Sequence, residues 1–267
     1  MLEKKVKHAL EILEKFKDWQ HKYVFFSGGK DSLVALDLAS KVWDTFTIVY
    51  CEVTGNSHPK CTKYAYKIAN EYPAEFVHVK QEKYDFFDCL EKWGYPSLLW
   101  TNSIRWCLTH FKCEPITAFT KGRGVGVGGL SPYNSARRAS ILQGKSPVWV
   151  NPKPTGGRWS YYILQPLFFF TKCDVWQYIA LNELPVNPLY KEIGFSGNCM
   201  ICPGMNKREF LTVIQKCPEF FCRWKKVHEK LRQDYVEGKL RGMRVVFHRF
   251  NKWYELYCRN KTLEVVL

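Results

Sequence analysis

Mostly apolar runs alternate with amphipathic segments over the first 80 residues of this 267-residue chain. Residues 23–26, 46–51 and 76–79 are short and predominantly apolar, which is typical of strands that are buried on both faces. Residues 2–18 and 33–39 carry apolar side chains at helical spacing, so they predict a leading helix and a helix after the first strand. Because strands and helices alternate, we expect an α/β fold: a parallel twisted sheet with helices on both faces, which binds ligands at the carboxyl ends of its strands.

Two further apolar segments extend the predicted sheet. Residues 125–130 predict a fourth strand despite their interleaved glycines, and residues 163–170 predict a fifth strand or the approach to it. Residues 144–159 lie between them and are rich in Pro, Gly and Lys, a composition that favours a mobile loop within the domain.

The last quarter of the chain has a different pattern. Residues 207–238 have helical periodicity, whereas residues 244–250 and 253–258 alternate, which predicts a basic helix followed by a small hairpin. We therefore divide the chain into an α/β domain, residues 1–205, and a basic C-terminal appendage, residues 206–267, packed on the same domain.

A glycine-lysine loop joins the first strand to the helix that follows it. Its sequence is Ser27-Gly28-Gly29-Lys30-Asp31-Ser32. Glycines let an anion approach the main chain, the lysine adds a point charge, the serine hydroxyls can donate hydrogen bonds, and a helix N-terminus concentrates N–H groups. Asp31 either orients a metal ion or caps the helix. The loop predicts a site for nucleotide phosphates, and its lysine follows the glycine pair directly, unlike the Walker loop.

The chain is basic, and the excess of positive charge is uneven. It has 40 Lys and Arg against 25 Asp and Glu, a formal net charge of +15, and 16% aromatic residues. Residues 203–267 hold fifteen basic and seven acidic residues, so over half of the excess lies in the last quarter. This balance fits either a nucleic-acid partner or the ordinary basicity of a nucleotide enzyme.

Neither a membrane span nor a secretion signal is visible in the sequence. No apolar stretch is long enough to span a membrane, and the first residues run into a charged amphipathic pattern. The eleven cysteines are an odd number outside any regular framework, which argues against a disulfide scaffold. We therefore expect a cytoplasmic protein without membrane contact, in which some cysteines are metal ligands.

Four cysteines are candidate metal ligands: Cys107, Cys113, Cys199 and Cys202. Cys199 and Cys202 form a Cys-x-x-Cys pair before Pro203, which can hold one metal ion or one edge of a cluster. A redox dithiol or two core thiols are the alternatives. Cys107 and Cys113 lie on different faces of a helix unless that helix starts or ends between them, so Cys113 is either the fourth ligand or no ligand.

Several motifs resemble those of known enzymes. Residues 27–32 are similar to the signature of the PP-loop ATP pyrophosphatases, which split ATP between its α and β phosphates. From about residue 22 to 205 the chain resembles the phosphoadenosine phosphosulfate (PAPS) reductase family. The other motifs that carry this resemblance are Arg105-Trp106-Cys107 with Lys112 and Pro115, residues 128–138 with Ser135-Ala136-Arg137-Arg138-Ala139, Asp174-Val175-Trp176-Gln177-Tyr178-Ile179, Asn187-Pro188-Leu189-Tyr190 and residues 199–203.

The resemblance implies the adenine nucleotide alpha hydrolase-like fold, with an adenine nucleotide such as ATP over residues 27–32. It also implies basic side chains that face phosphate or sulfate groups, namely Arg105, Lys112, Arg137 and Arg138. Glu52 stands where the family commonly has an aspartate, and it keeps a carboxylate for Mg²⁺ or a ribose. The expected catalytic residues are Lys30, Asp31, Arg105 and Arg137, and the expected nucleotide-binding residues are Ser27, Gly28, Gly29, Lys30, Asp31, Ser32, Glu52 and Arg138.

Our hypothesis is an ATP pyrophosphatase that adenylates a substrate and supports sulfur transfer. The loop keeps the Gly-Gly-Lys-Asp-Ser pattern of ATP users in this family, whereas sulfonucleotide reductases usually have a modified loop. We expect an iron–sulfur cluster on Cys107, Cys199 and Cys202, with Cys113 as fourth ligand or absent and with zinc as the alternative metal. With three cysteine ligands one iron stays open to substrate sulfur, which resembles tRNA-thiolating enzymes. The basic tail would hold a tRNA or DNA acceptor through its phosphates, and a sulfur donor protein is a further expected partner.

Two alternatives stay open. The first is a reductase of PAPS or adenosine phosphosulfate (APS), although Cys258 lies in Glu255-Leu256-Tyr257-Cys258-Arg259 and does not match the Glu-Cys-Gly-x-His tail of such reductases. The second is a non-catalytic nucleotide- or nucleic-acid-binding module with a structural metal site. The acceptor and the oligomeric state are left open by the sequence.

Overall fold

Six strands form one sheet in the computed structural model, which describes residues 1–97, 105–150 and 162–266. The strands are β1 (Lys22–Phe26), β2 (Thr47–Glu52), β3 (Glu75–Lys80), β4 (Val125–Val127), β5 (Val148–Val150) and β6 (Tyr162–Leu164). Their spatial order is β3-β2-β1-β4-β6-β5, and neighbouring strands are parallel except β5 and β6. The predicted α/β fold with a mainly parallel sheet is confirmed.

Helices connect the strands and form the C-terminal part of the chain. They are α1 (Leu2–Glu14), α2 (Lys30–Ser40), α3 (Pro59–Ala69), α4 (Phe86–Trp93), α5 (Trp106–Leu108), α6 (Glu114–Thr120), α7 (Ala136–Leu142), α8 (Lys172–Leu181), α9 (Leu189–Glu192), α10 (Lys207–Lys216), α11 (Pro218–Val236) and α12 (Arg244–Val266). A π-helical turn, Thr109–Cys113, joins α5 to α6, and a 3₁₀ turn, Pro132–Asn134, precedes α7. None of the described helices combines the length and apolar character needed to cross a membrane.

The helix after the first strand is buried on nearly all sides. Residues 32–39 of α2 are all buried, and this helix packs on β1 and α8. At its end, Asp37 accepts a hydrogen bond from the Tyr178 hydroxyl at 2.6 Å and lies 2.9 Å from the Lys41 ammonium. Because α2 is fixed along its length, the loop that precedes it is held at a defined position.

The chain order reverses at the centre of the sheet. β1 has β2 on one side and β4 on the other, and in open sheets of this kind the ligand crevice lies outside the carboxyl ends of the strands at this point. A Cβ atom added to Gly129, just after β4, would lie 2.8 Å from the carbonyl carbon of Asp31. The loop after β4 is therefore in close contact with residues 27–32.

The second half of the sheet is shorter than the sequence predicts. β4 covers only the first half of residues 125–130, and β6 ends at Leu164, after which the chain turns out of the sheet. Part of the predicted mobile loop, residues 144–159, forms the antiparallel edge strand β5. The rest of that loop lies outside the described residues.

The predicted C-terminal hairpin is wrong, because residues 244–266 form the helix α12. Val246, Phe247, Phe250 and Tyr254 are buried, and their spacing is that of one helical face. The alternation between residues 244 and 250 is too short to separate a strand from a helix that has one buried face. The helical prediction for the preceding segment is confirmed by α10 and α11.

A buried polar network joins the C-terminal helices to the loop after α4. The Tyr95 hydroxyl lies 3.0 Å from His228 Nδ1 and accepts a hydrogen bond from Trp224 Nε1 at 2.8 Å. Burial lowers the pKa of His228 to about 3, so this imidazole is neutral. The C-terminal helices therefore pack on the α/β layers through buried contacts, while the division of the chain at residue 205 stays a prediction.

Candidate functional site

Residues 27–32 form a tight turn between β1 and α2. Gly28 has φ of +69°, a left-handed conformation that favours glycine, and Gly29 is the extended N-cap of α2. The Ser32 hydroxyl accepts a hydrogen bond from the Ser27 N–H at 3.1 Å and donates one to the Gly29 carbonyl at 2.8 Å. The Ser27 hydroxyl oxygen lies 3.1 Å from the Ser32 hydroxyl oxygen. The Ser32 hydroxyl therefore shapes the turn, and its contact with a nucleotide stays a prediction.

Two cations share one carboxylate at the N-terminus of α2. The Lys30 ammonium donates a hydrogen bond to Asp31 Oδ1 at 2.6 Å and lies 6.0 Å from the centre of the Trp176 ring. Arg138 Nη1 lies 3.8 Å from the other Asp31 oxygen. Asp31 is the second residue of α2, behind the Gly29 N-cap, so it pairs with the cations instead of capping the helix. The first-turn N–H groups and both cations can together stabilise an anion.

The 187–190 segment braces the turn. Asn187 Nδ2 donates to the carbonyl oxygens of Gly28 and Ser196, both at 2.9 Å. The Tyr190 hydroxyl accepts a hydrogen bond from the Lys30 N–H at 3.1 Å. Burial raises the pKa of Tyr190 to about 12, which keeps its hydroxyl neutral. The sequence indicated this segment only as a family motif, and nothing in its local pattern gave these contacts.

Cys61 lies directly beneath the turn. It is fully buried, and its Sγ is 3.8 Å from the Ser27 carbonyl oxygen. A Cβ atom on Gly28 would come within 2.7 Å of this sulfur. Burial raises the pKa of Cys61 to about 11, so it is a neutral thiol that packs against the loop.

Glu52 lies at the carboxyl end of β2, as predicted, and has protein partners there. Its Oε2 is 3.0 Å from His78 Nε2 and accepts a hydrogen bond from the Thr62 hydroxyl at 3.4 Å. The hydrogen bond from His78 lowers the pKa of Glu52. The Thr62 hydroxyl also lies 3.2 Å from that of Tyr50, which contacts Cys61 Sγ at 3.8 Å. Glu52 is thus linked to the phosphate loop through a short chain of polar contacts.

Lys112 belongs to the π-helical turn, near both Cys61 and Cys199. Burial raises the pKa of Cys61, the hydrogen bond to Cys202 raises that of Cys199, and the positive charge of Lys112 partly opposes both effects. π-helical turns inside helices are frequent at functional sites. Arg137 is in α7, one residue before Arg138, and its side chain lies outside the described part of the structure.

Three of the four predicted cysteines are brought together. A hydrogen bond to Cys202, together with burial, raises the pKa of Cys199 well above its ordinary value, and Cys107 adds to this effect. Burial raises the pKa of Cys107 to about 11, and Cys202 also contributes. Cys113 is the last residue of the π-helical turn. After burial, it contributes to the raised pKa of Cys51. Its role as a ligand stays a prediction.

A buried asparagine holds the cysteine loop in place. Asn56 Nδ2 donates to Cys199 Sγ at 3.3 Å and to the Ile201 carbonyl oxygen at 3.2 Å. Asn56 Oδ1 accepts from the Ile201 N–H at 2.9 Å, and its backbone carbonyl accepts from Met200 at 2.8 Å. This residue was missed by the sequence analysis, because a single loop asparagine carries no signal of such a contact.

Cys107, Cys199 and Cys202 are donors of the type that thiolate-bound metal ions and clusters use, and metal binding by them stays a prediction. The thiols raise one another's pKa values, and a bound cation would reverse that effect by favouring the thiolates. The positive charge of Arg105 partly opposes the burial that raises the pKa of Cys107. Arg249 interacts electrostatically with Cys202 and donates a hydrogen bond to the Pro203 carbonyl oxygen. These cations offset the negative charge that several thiolates would carry. The donor set suits zinc and iron–sulfur clusters equally well.

Cys258 lies elsewhere on the C-terminal helix. It is exposed on α12 and forms a hydrogen bond with Tyr254. Its place in the structure does not by itself assign it a role.

Comparison with known proteins places these observations in a family. Residues 21–205 match the family model described as the phosphoadenosine phosphosulfate reductase domain. An uncharacterized protein of Methanocaldococcus jannaschii is 30% identical over all of this chain, which spans 61% of that protein. Adenosine 5'-phosphosulfate reductase 2 of Bacillus subtilis is 25% identical over 72% of this chain and 78% of its own length.

A solved structure has the same fold. FMN adenylyltransferase of Candida glabrata, in complex with FAD and inorganic pyrophosphate, superimposes with a TM-score of 0.52 and 13% sequence identity. The match covers 72% of this chain and 61% of the other. At this identity the likeness shows the fold alone, which is the predicted adenine nucleotide alpha hydrolase-like fold.

Proposed function

The chain belongs to the phosphoadenosine phosphosulfate reductase domain family, and within that family we propose that it is an ATP pyrophosphatase that adenylates a substrate and supports sulfur transfer. The observation that carries this proposal is the turn at residues 27–32, where the Lys30 and Arg138 side chains both lie beside Asp31 at the N-terminus of α2. A helix N-terminus with two nearby cations suits a polyphosphate.

In the proposed first step, an oxygen of the substrate attacks the α-phosphorus of ATP. The bond from this phosphorus to the bridging oxygen breaks, and pyrophosphate leaves with the electron pair. Lys30 and Arg138 exchange their shared partner Asp31 for pyrophosphate oxygens, so charge is stabilised where it develops. The product is an adenylate, whose substrate oxygen can later leave with AMP.

The carboxylates near the loop suit a divalent cation. Bound Mg²⁺ would neutralise charge on the phosphates. Asp31 would be released for this role when the phosphates take over its two cations, and Glu52 would serve as a ligand or as a ribose partner. We also propose that Arg105 and Arg137 contact phosphate groups during the reaction, as expected from the family motifs.

In the proposed second step, a hydrosulfide attacks the carbon that carries the adenylated oxygen, and AMP leaves with that oxygen and the electron pair. The step involves no net oxidation. Cys107, Cys199 and Cys202 would hold an iron–sulfur cluster or zinc, with Cys113 as the fourth ligand or absent, and a cluster would supply the sulfide. Lys112 interacts electrostatically with Cys199 and with Cys61 beneath the loop, and its positive charge would favour an anionic sulfur species.

The acceptor that we propose is a nucleic acid. Lys207 and Arg208 on α10 and Lys226 on α11 are exposed cations of the C-terminal helices, where much of the positive charge lies. Such cations bind phosphates without regard to sequence. We also propose a sulfur donor protein as a partner and a cytoplasmic location.

A reductase of APS or PAPS is the second candidate, because a relative that aligns with 72% of the chain is named an adenosine 5'-phosphosulfate reductase. The two reactions need different nucleotides in the same crevice. An ATP pyrophosphatase binds a triphosphate, whereas a reductase binds a sulfonucleotide and needs a thiol to remove sulfite.

Calorimetric titration of anaerobically purified protein with Mg·ATP, APS and PAPS separates these candidates. We expect Mg·ATP to bind best, and Lys30→Ala to weaken its binding about 100-fold or more by removing a charge partner of the phosphates. Lys63→Ala, on the exposed side of α3, is the matched control and should bind as the unmodified protein does. Clear preference for a sulfonucleotide would overturn the first proposal and favour the second.

Turnover is measured next with bulk tRNA as the acceptor. Pyrophosphate release that depends on tRNA, and that Lys30→Ala abolishes, is the expected result. Release that is unchanged in Lys30→Ala would contradict the role of the loop.

A further inference from the structure

Three potential metal ligands meet on the side of the cysteine loop that faces α11. His58, Cys217 and Glu219 each offer one ligand atom, and these atoms all lie within 4.8 Å of one another. Cys217 is buried, His58 is half-buried and Glu219 is exposed, so the group opens to solvent on one side. The residues come from two distant parts of the chain: the N-cap of α3, and the junction between α10 and α11.

The three donors are of the types that zinc uses. Zinc binds imidazole nitrogen, thiolate sulfur and carboxylate oxygen, and sites with three protein ligands keep a fourth position for water.

One existing hydrogen bond has to change when a cation binds. His58 Nδ1 now accepts the N–H of Lys60 at 3.1 Å and thereby caps α3. Ligation through Nε2 moves the ring proton to Nδ1, and ligation through Nδ1 replaces the amide. In either case a metal bond replaces one exposed cap bond. The ring keeps its stacking on Phe220, whose centre is 5.9 Å away.

The position of the group explains what a bound ion would do. The His58 N–H donates to the Gly197 carbonyl at 2.8 Å, just before the Cys199 loop. Cys217 is the N-cap of α11, and Glu219 is in its first turn. Glu192 of α9 connects the same two parts of the chain, because its carboxylate pairs with Lys60 at 2.6 Å and its carbonyl oxygen accepts a hydrogen bond from the Lys216 ammonium at 2.6 Å. A cation at this point would fasten the start of α11 to the loop that positions the candidate cysteines.

We propose that His58, Cys217 and Glu219 form a binding site for one zinc-class divalent cation, with water as the fourth ligand. This site differs from the group of Cys107, Cys199 and Cys202, and it holds the C-terminal helices to the α/β layers. The proposal goes beyond the proposed function and does not depend on it.

The test is a titration with Zn²⁺ and with Co²⁺, whose absorption reports a bound thiolate. Full-length protein carrying Cys199→Ser and Cys202→Ser is used, so that ions at the other cysteine group do not interfere. In this background we expect one ion per chain, a cobalt–thiolate absorption band and a higher melting temperature with Zn²⁺. Adding Cys217→Ser should abolish the band and the thermal shift, whereas Cys222→Ser, an exposed cysteine of the same helix, should leave both unchanged.

His58→Asn is a second test variant, which removes the proposed imidazole ligand. Asparagine is a good N-cap, so α3 stays capped while the imidazole is lost. We expect Zn²⁺ affinity to fall by more than about tenfold. Absence of a bound ion in the starting variant, or binding that survives both Cys217→Ser and His58→Asn, would overturn the proposal. If the starting variant does not fold, Cys217→Ser alone must lower the zinc content of the otherwise unmodified protein by one ion per chain, and an unchanged content overturns it.

Discussion

The Tyr190 hydroxyl accepts the backbone N–H of Lys30 at 3.1 Å, although the two residues are 160 positions apart. This contact ties the first residue of α2 to the short helix α9. The loop that carries the candidate phosphate site is therefore braced from the far end of the α/β domain. Nucleotide affinity should depend on a side chain that needs no contact with the nucleotide itself.

Tyr190→Phe tests this dependence. The phenylalanine keeps the ring packed against Trp176, whose centre is 5.5 Å away, but leaves the Lys30 N–H without its acceptor. Loss of one such hydrogen bond costs about 1 kcal/mol, so we expect Mg·ATP affinity to fall about fivefold. Calorimetry measures the change, and Tyr133→Phe, at an exposed position, is the control. Equal affinities for all three proteins would contradict a bracing role.

Gly28→Ala should destabilise the protein more than Gly144→Ala. Both glycines have positive φ, +69° and +71°, so alanine strains the backbone at each by about 1 kcal/mol. At Gly28 the new Cβ meets Cys61 Sγ at 2.7 Å, whereas at Gly144 no atom of the residues that the structure describes lies within 4 Å of it. Overpacking adds about 1–3 kcal/mol. Urea unfolding gives the difference.

The double variant Gly28→Ala/Cys61→Ala tests whether the contact with Cys61 causes the additional loss of stability in Gly28→Ala. Removing the sulfur relieves the overlap, so the penalty of the added methyl group should be smaller in the Cys61→Ala background. An equal penalty in both backgrounds would mean that backbone strain alone explains the effect.

Asn56→Ala should loosen the cysteine loop. The change removes hydrogen bonds to Cys199 and to both backbone groups of Ile201. Buried backbone groups left without partners cost about 1–3 kcal/mol each, so we expect a loss of at least about 2 kcal/mol in unfolding free energy. Metal content after anaerobic reconstitution should fall as well. Asn70→Ala, at the exposed end of α3, is the control. Retention of full metal content by Asn56→Ala would contradict a role of Asn56 in holding the cysteine loop in place.

Asp174 should contribute stability that depends on pH. Burial acts to raise its pKa, but hydrogen bonds from Lys5 and Thr171 outweigh that effect, and the pKa is lowered from 3.8. A lowered pKa means that the stabilisation is fully present above about pH 4 and is lost as the pH falls through the folded-state pKa. Asp174→Asn should therefore be less stable by about 1 kcal/mol at pH 7.

The measurement is the unfolding free energy of both proteins between pH 7 and pH 2.5. The gap between Asp174→Asn and the unmodified protein should close at the acid end, because both side chains are then neutral. Asp18→Asn, at an exposed position, should show little gap at any pH. A gap for Asp174→Asn that is the same at both ends would show that charge is not its source.

The features that the sequence predicted correctly are set by residues that lie close together in the chain. The apolar runs of β1, β2 and β3 predicted the parallel sheet, and the family resemblance, carried by several short motifs, is confirmed. The C-terminal hairpin shows the limit of this approach. Seven alternating residues fit a strand, but α12 forms because Phe247 and Phe250 pack near Tyr95, which no local pattern reveals.

By itself the sequence determined the fold class, the family and the position of the glycine-lysine loop, because periodicity and motifs act over a few residues. Only the tertiary structure decided what surrounds that loop. Asn187 bonds to Gly28, Asn56 holds the cysteine loop, and His58 meets Cys217, all across more than 140 residues of chain. Such contacts arise when separate elements pack into one core, and packing is a property of the whole chain rather than of any segment.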